Sequence, residues 1–144
     1  MTIEQAGKNI KADPREYRSL TEEIRDINRA IFECKSELAK DKVQTSDKSF
    51  PYTQHGQTIE GINITRLRRL ELQKRWAEIR KMEIEDLVAG IEDIESRRIV
   101  RLRCMDGLSW RAIGHRVHMD YSAARKKYNK IMKKINLPQM PQNP

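Results

Sequence analysis

Several features that mark common classes of protein are missing from this chain. It has only two cysteines, Cys34 and Cys104, and they lie far apart among apolar helical positions. We therefore expect two reduced, partly buried thiols and no disulfide framework. The N-terminus lacks a basic stretch followed by an apolar one, and no apolar run is long enough to span a bilayer. These absences predict a cytoplasmic protein with no membrane partner.

Motifs of catalysis and metal binding are missing as well. The chain has no Gly-rich phosphate loop, no nucleophile elbow and no Cys-x-x-Cys or paired His–Cys spacing. The spacing of His115, His118 and Cys104 does not support a zinc site. The acid clusters at 83–86 and 92–95 are typical of solvated helix surfaces with i, i+4 ion pairs. We expect no enzyme activity, no cofactor and no metal.

The charge that is present is unevenly distributed. Apolar residues make up 38% of the chain and charged residues 35%, which is typical of long amphipathic helices with few buried faces. The net charge is +8, yet residues 97–135 hold twelve Lys and Arg against two acids, a local charge of +10. Because the basicity belongs to the C-terminal third, it predicts a polyanionic partner for that third.

The apolar pattern of residues 13–90 predicts an all-α, coiled-coil-like antiparallel hairpin, after a flexible segment at 1–12. Asp13-Pro14 is a strong helix start, and the helix should reach about Asp41. Its seam has spacings of three and four: Tyr17, Leu20, Ile24, Ile27, Ile31, Cys34 and Leu38. A second helix, from about Asn63 or Thr65 to Gly90, carries a drifting stripe: Leu67, Leu70, Trp76, Ile79, Met82, Leu87 and Ile91.

Two alternatives remain open for this region. The same seams could drive self-association, and Leu72 with Ile84, which lie off the main stripe, could form a second apolar face for a homodimer. The connector, residues 43–61, lacks a helical period and holds Phe50, Pro51 and Tyr52. We expect these three to pack against the helix ends, with a partner contact as the alternative.

The apolar spacing and helix-start signals of residues 91–136 predict a three-helix DNA-binding unit. A disordered tail is expected at 137–144. A supporting helix over 91–105 should bury Ile91, Ile94, Ile99 and Leu102. After the turn at Asp106-Gly107, Ser109 caps a short helix, and Asp120 caps a longer basic helix that reaches Ile135. This is the helix-turn-helix plan. The residues assigned to its core side are Trp110, Ala123, Ala124, Tyr128, Ile131 and Ile135.

The last third of the chain resembles region four of bacterial sigma factors. The residues that carry this resemblance are Gly107, Leu108, Ser109, Trp110, Ile113 and Gly114. With the Phe-Pro-Tyr-x-x-His segment at 50–55, the whole layout is similar to the RinA/ArpU-type transcriptional regulators of phages and prophages in Gram-positive bacteria. The resemblance implies control of late or packaging genes in a bacterial host cell. Two departures stand out: His118 replaces a turn glycine that often needs positive φ, and Gly114 replaces a small alanine.

The second helix of such a pair lies in the major groove of double-stranded DNA, with its N-terminal residues at the base edges. The expected base-reading residues are Tyr121, Ser122, Arg125, Lys126 and Asn129. The expected phosphate contacts are Ser109, Arg111, Lys127, Lys130, Lys133 and Lys134. These assignments predict a sequence-specific DNA-binding transcriptional regulator, and the family resemblance implies an activator of late genes. The alternatives are a packaging component comparable to a small terminase subunit, and a helical adaptor that binds RNA polymerase.

Overall fold

The computed structural model of the protein describes residues 12–46 and 54–136, and within these ranges it has helices joined by short turns and no strand. This confirms the expected all-α class. The five helices are α1 (Tyr17–Ser46), α2 (Gln54–Ala89), α3 (Ile94–Val100), α4 (Trp110–Val117) and α5 (Tyr121–Asn136). The expectations for residues 1–11, for Phe50–Tyr52 and for the tail lie outside the described residues. None of the helices in the described ranges has the length and apolarity needed to cross a bilayer.

The chain divides into two compact units. The first unit contains residues 20–79, and the second contains residues 12–19 and 80–136. In the first unit, the later part of α1 contacts the early part of α2, where the Cys34 thiol donates to the Asn63 carbonyl at 3.3 Å. In the second unit, the start of α1 meets the end of α2, where the Tyr17 hydroxyl donates to Glu85 at 2.7 Å.

The start and the buried face of α1 agree with the sequence. The Asp13 carboxylate accepts a hydrogen bond from the Arg15 amide at 3.0 Å, and Pro14 opens a short 3-10 turn, Pro14–Glu16. The Arg15 side chain also hydrogen-bonds this carboxylate and holds the pKa of Asp13 below its usual value. Every residue of the expected α1 seam is buried or half-buried. The helix ends at Ser46, beyond the expected end at Asp41.

The second helix is longer than expected, and its buried face is different. It begins at Gln54, so the part of the expected connector from residue 54 onward is helical. Leu67, Leu70 and Leu87 are half-buried, as predicted, but Trp76, Ile79 and Met82 are 53%, 45% and 60% exposed. The face that is covered instead contains Lys74, Ala77, Lys81, Ile84 and Val88.

This finding overturns the proposed role of Ile84 in a dimer face, because Ile84 is fully buried within the protein's own fold. Leu72, its expected partner, is 47% exposed. The sequence pattern was misleading because three covered positions hold Lys74, Ala77 and Lys81. Lysine covers apolar surface with its aliphatic stem, and the Lys81 ammonium group lies over the Tyr17 ring at 4.7 Å, so positions 74 and 81 are covered although they do not look apolar in a sequence.

The supporting helix α3 is separate from α2 and starts at a defined cap. The Asp93 carboxylate accepts hydrogen bonds from both the amide and the hydroxyl of Ser96, at 3.2 and 2.6 Å. Ile94, which we expected to be buried, is 62% exposed because it is the first residue of the helix and lies outside the packed face. Beyond α3 the chain forms a π turn, Arg101–Met105, which ends at Asp106.

The helices of the second unit enclose one apolar cluster, consisting of Ile99, Leu102, Ile113, Val117 and Ala124. The half-buried Trp110 packs against it, edge-on to the Tyr128 ring at 5.0 Å, which confirms its core role. Ala123 is exposed, so its core assignment was wrong, since the packed face of α5 runs through Ala124 and Met132. Cys34 and Cys104 are free, as expected, and both are buried where partial burial was expected. Burial raises the pKa of the Cys104 thiol.

Candidate nucleic-acid interface

The turn between α4 and α5 has the backbone geometry that the sequence suggested. The Ser109 hydroxyl oxygen accepts a hydrogen bond from the Ala112 amide at 3.3 Å, which confirms the expected N-cap of α4. At the other end of α4, His118 has φ 57° and ψ 45°, the left-handed conformation that usually requires glycine. The amides of His118 and Met119 both donate to the Gly114 carbonyl, which fixes the direction of the turn.

Gly114 allows this turn to lie close to α4. A Cβ atom at this position would lie 2.7 Å from the Met119 carbonyl oxygen and 3.1 Å from the Tyr121 amide nitrogen. Both are main-chain atoms, so neither can rotate out of the way. The sequence indicated only a loss of helix propensity at Gly114. The structure shows that glycine at this position lets the backbone of Tyr121, the first residue of α5, lie close to α4.

The five expected base-reading residues, Tyr121, Ser122, Arg125, Lys126 and Asn129, are all exposed on α5. Ser122, Lys126 and Asn129 follow each other at spacings of four and three, so they share one face of the helix. The Ser122 hydroxyl donates to the Asp120 carboxylate, which lies directly before the helix. Within the described part of the chain, Arg125, Lys126 and Asn129 have no side-chain hydrogen bond or ion pair.

Lys127 lies in a different environment from its neighbours on α5. Its ammonium group is 2.5 Å from the Glu95 carboxylate and 3.2 Å from that of Asp93. The hydrogen bond to Glu95 is the main cause of the raised pKa of Lys127. The pKa of Asp93 is lowered, first by the Ser96 hydroxyl and then by Lys127. Lys127 therefore joins α5 to the capped start of α3, although the expected role was a phosphate contact.

The remaining expected phosphate contacts fall into three groups. Lys134 lies seven residues after Lys127 on the same face, and it borders an open groove with the acidic residues Asp86, Glu92 and Asp93. Lys130 and Lys133 are exposed and have no ion pair among the described residues. Ser109 and Arg111, at the start of α4, are also exposed, and the Ser109 hydroxyl forms the helix cap.

The sequence did not reveal the role of Asp93 and Glu95. They belong to an acid cluster that we interpreted as solvated surface charge, and their contact with Lys127 joins residues more than thirty positions apart. Only the apolar spacing of α3 and α5 could have suggested that the two helices pack together. Among the described residues, no group of three or more His, Cys, Asp or Glu side chains could hold a metal ion.

Comparison of the chain with protein-family models, with curated proteins and with solved structures finds no match. The resemblance to RinA/ArpU-type regulators therefore stays a prediction from the residues quoted above. The chemical character of the site follows from its geometry alone. It is a helix with exposed guanidinium, ammonium and amide groups on one side and an apolar packed face on the other.

Proposed function

We propose that this protein is a sequence-specific DNA-binding transcriptional regulator of phage or prophage type, with α5 lying in the major groove. One observation carries the proposal. The outward side of α5 presents Arg125, Lys126, Lys130 and Lys133, which have no acidic partner among the described residues. Cations without a protein partner on an exposed helix are suited to the phosphates and base edges of a duplex.

Two acids near α5 support this orientation, because Asp93 and Glu95 bind Lys127 at the edge of α5 that meets α3. Asp120 lies before the first residue of α5, where its carboxylate accepts a hydrogen bond from the Ser122 hydroxyl. The helix is thus electrostatically two-sided, with an ion-paired edge against α3 and a cationic side toward solvent. A polyanion that approaches the cationic side meets no carboxylate on α5 itself.

Individual roles follow from side-chain chemistry. Arg125 can donate two hydrogen bonds to a guanine edge, and the Asn129 amide can pair with an adenine edge. Tyr121, Ser122 and Lys126 lie in the first turns of α5, where helix-turn-helix proteins read bases. Lys130 and Lys133 would contact phosphates. Because Lys127 and Lys134 lie beside acids, we assign the phosphate contacts to Lys130 and Lys133 first.

The test is a binding titration against tiled duplex fragments from the neighbourhood of the gene, with competitor DNA. We expect one fragment to bind tightly, and Arg125→Ala to reduce its preference over the others by roughly 5- to 150-fold. Arg29→Ala, which changes an exposed arginine of the first unit, is the matched control and should retain the preference. If Arg125→Ala discriminated among fragments as well as wild type, the assignment of Arg125 to base reading would be wrong.

The same titration separates the alternative functions. Equal, weak and salt-sensitive binding to every fragment would contradict the proposal of a sequence-specific regulator. It would favour an adaptor for RNA polymerase or a packaging component. A pull-down with polymerase that survives charge reversal at Lys126 and Lys130 would then identify the adaptor. A ring of many subunits in solution scattering would identify the packaging component.

A further inference from the structure

The start of α1 reaches the turn that precedes α4, although the two lie far apart in the sequence. Gly107 in this turn has φ +68°, and a Cβ atom there would lie 2.5 Å from both Cζ and Nη1 of Arg18 and 2.7 Å from its Nε. Because these three distances are nearly equal, the guanidinium plane of Arg18 lies flat over the position that a side chain would occupy. Both residues belong to the second unit.

This packing holds the Arg18 guanidinium without an acid. Within the described ranges, Arg18 has no hydrogen bond or ion pair, whereas the guanidinium of the nearby Arg15 is bound to the Asp13 carboxylate at 2.8 Å. The N–H groups of a guanidinium point outward in its plane, so contact with its face leaves them available as donors. Arg18 is also exposed. An exposed guanidinium with available donors is suited to a phosphate group.

Two further guanidinium groups lie at the same turn. Nη1 of Arg103 donates to the Leu108 carbonyl oxygen at 3.0 Å, and its Cζ lies 4.7 Å from the centroid of the Trp110 ring. Arg111 lies one helical turn after Leu108 and is exposed. Arg18, Arg103 and Arg111 therefore form an arginine cluster around residues 107–111.

The charge of this cluster remains positive when the acid beside it is included. Asp106, directly before Gly107, is the one acid in residues 101–119, so three arginines and one aspartate give a charge of 3 − 1 = +2. Among the described residues, Asp106 forms no ion pair with Arg18. The cluster therefore keeps a net attraction for a polyanion.

The arginine cluster lies beside the helix that we propose to enter the major groove. Trp110, which contacts Arg103, is edge-on to Tyr128 of α5 with the ring centroids 5.0 Å apart. In helix-turn-helix proteins, the helix before the recognition helix crosses the DNA backbone. A duplex bound by α5 would thus present phosphates to the turn that precedes α4.

We propose that Arg18, with Arg103 and Arg111 beside it, contacts the phosphate backbone of the duplex whose major groove holds α5. The inference rests on the proposed DNA-binding function and extends the binding surface to the start of α1. From the sequence, Arg18 had no expected role, because it lies outside the basic C-terminal third. The packing of residues 12–19 within the second unit brings it to this surface.

The first experiment measures the slope of log affinity against log salt concentration for one duplex. Arg18→Met keeps the aliphatic stem and removes the charge, so it should reduce the slope by about 1 and leave the preference among fragments unchanged. Arg18→Lys should keep the wild-type slope, because an ammonium group also binds phosphate. Arg29→Met removes the same charge from an exposed position of the first unit, and this matched control should keep the slope.

The slopes separate a phosphate contact from a purely structural role. If Arg18 only supported the turn, Arg18→Met would weaken binding equally at every salt concentration, and the unchanged slope would overturn the proposal. If Lys130→Met reduces the slope and Arg18→Met does not, DNA binding by α5 stands and the role of Arg18 is wrong. If neither variant changes the slope, the proposed DNA binding by α5 fails as well.

The second experiment locates the contact on the duplex. Single phosphates are replaced in turn by neutral methylphosphonates, and the affinities of wild type and Arg18→Met are compared. At the contacted phosphate, the replacement should weaken wild type but not Arg18→Met, because the variant has already lost that contact. Equal losses for the two proteins at every phosphate would overturn the proposal.

Discussion

Replacing Gly114 with alanine should destabilise the protein, although alanine is the better helix former. In the interior of an exposed helix, glycine to alanine stabilises by about 1 kcal/mol, because alanine loses less backbone entropy on folding. Gly114 is buried in α4, where the added Cβ would lie 2.7 Å from the Met119 carbonyl oxygen. Ordinary contact begins at 3.4 Å, so the turn would have to move by about 0.7 Å.

The magnitude follows from these opposing effects. Adding a methyl group to a packed site costs about 1–3 kcal/mol, and the cost is highest when the neighbours cannot rotate away. Here the nearest atoms belong to the main chain of Met119 and Tyr121. Subtracting the gain in helix propensity, we expect Gly114→Ala to lower the free energy of unfolding by about 1–2 kcal/mol.

Gly61→Ala provides the matched control, because nothing lies within 4 Å of the position that its Cβ would occupy. This exposed residue lies within α2, so the same substitution should stabilise the first unit by about 1 kcal/mol. Urea unfolding followed by circular dichroism measures both changes. Gly114→Ala that stabilises as much as Gly61→Ala does would refute the close approach of the turn to α4.

Three further changes test the caps and the turn. His118→Gly should stabilise by about 1 kcal/mol, because φ is 57° there; a loss of stability would show that the His118 side chain makes a favourable contact. Ser109→Ala should destabilise by about 1 kcal/mol in urea unfolding, since the hydroxyl caps α4, and unchanged stability would argue against that cap. Asp93→Asn should be less stable than wild type near neutral pH, because the folded pKa of Asp93 is lowered and its charge contributes stability above the unfolded value of 3.8. The difference should shrink as pH falls below 3.8; a difference that persists in acid would exclude the ionised carboxylate as its cause.

The features that could be predicted from the sequence are those set by neighbouring residues. Asp13-Pro14 and Ser109 act as helix starts because a cap needs only a side chain and an amide two or three residues away. The α1 seam could be predicted because its covered positions hold mostly large apolar residues. The positive φ at His118 was likewise indicated, because His118 occupies the turn position where many helix-turn-helix units have glycine.

The features that were missed depend on contacts between distant residues. The pairing of Lys127 with Asp93 and Glu95 exists only after α5 packs against α3. The covered face of α2 contains Lys74 and Lys81, whose charge hides the burial of their stems. Trp76 is apolar but exposed, so a rule that places large apolar residues inside selected the wrong face.

The most direct test of the central claim is the salt dependence of binding to a single DNA duplex. Wild type should lose affinity linearly with the logarithm of salt concentration, and Lys130→Met should reduce that slope by about 1, because one phosphate contact is lost. Lys127→Met, a change on the same helix, should leave the slope unchanged, since Lys127 is paired with Asp93 and Glu95. An unchanged slope in Lys130→Met, or an equal reduction in Lys127→Met, would contradict the proposed binding face of α5.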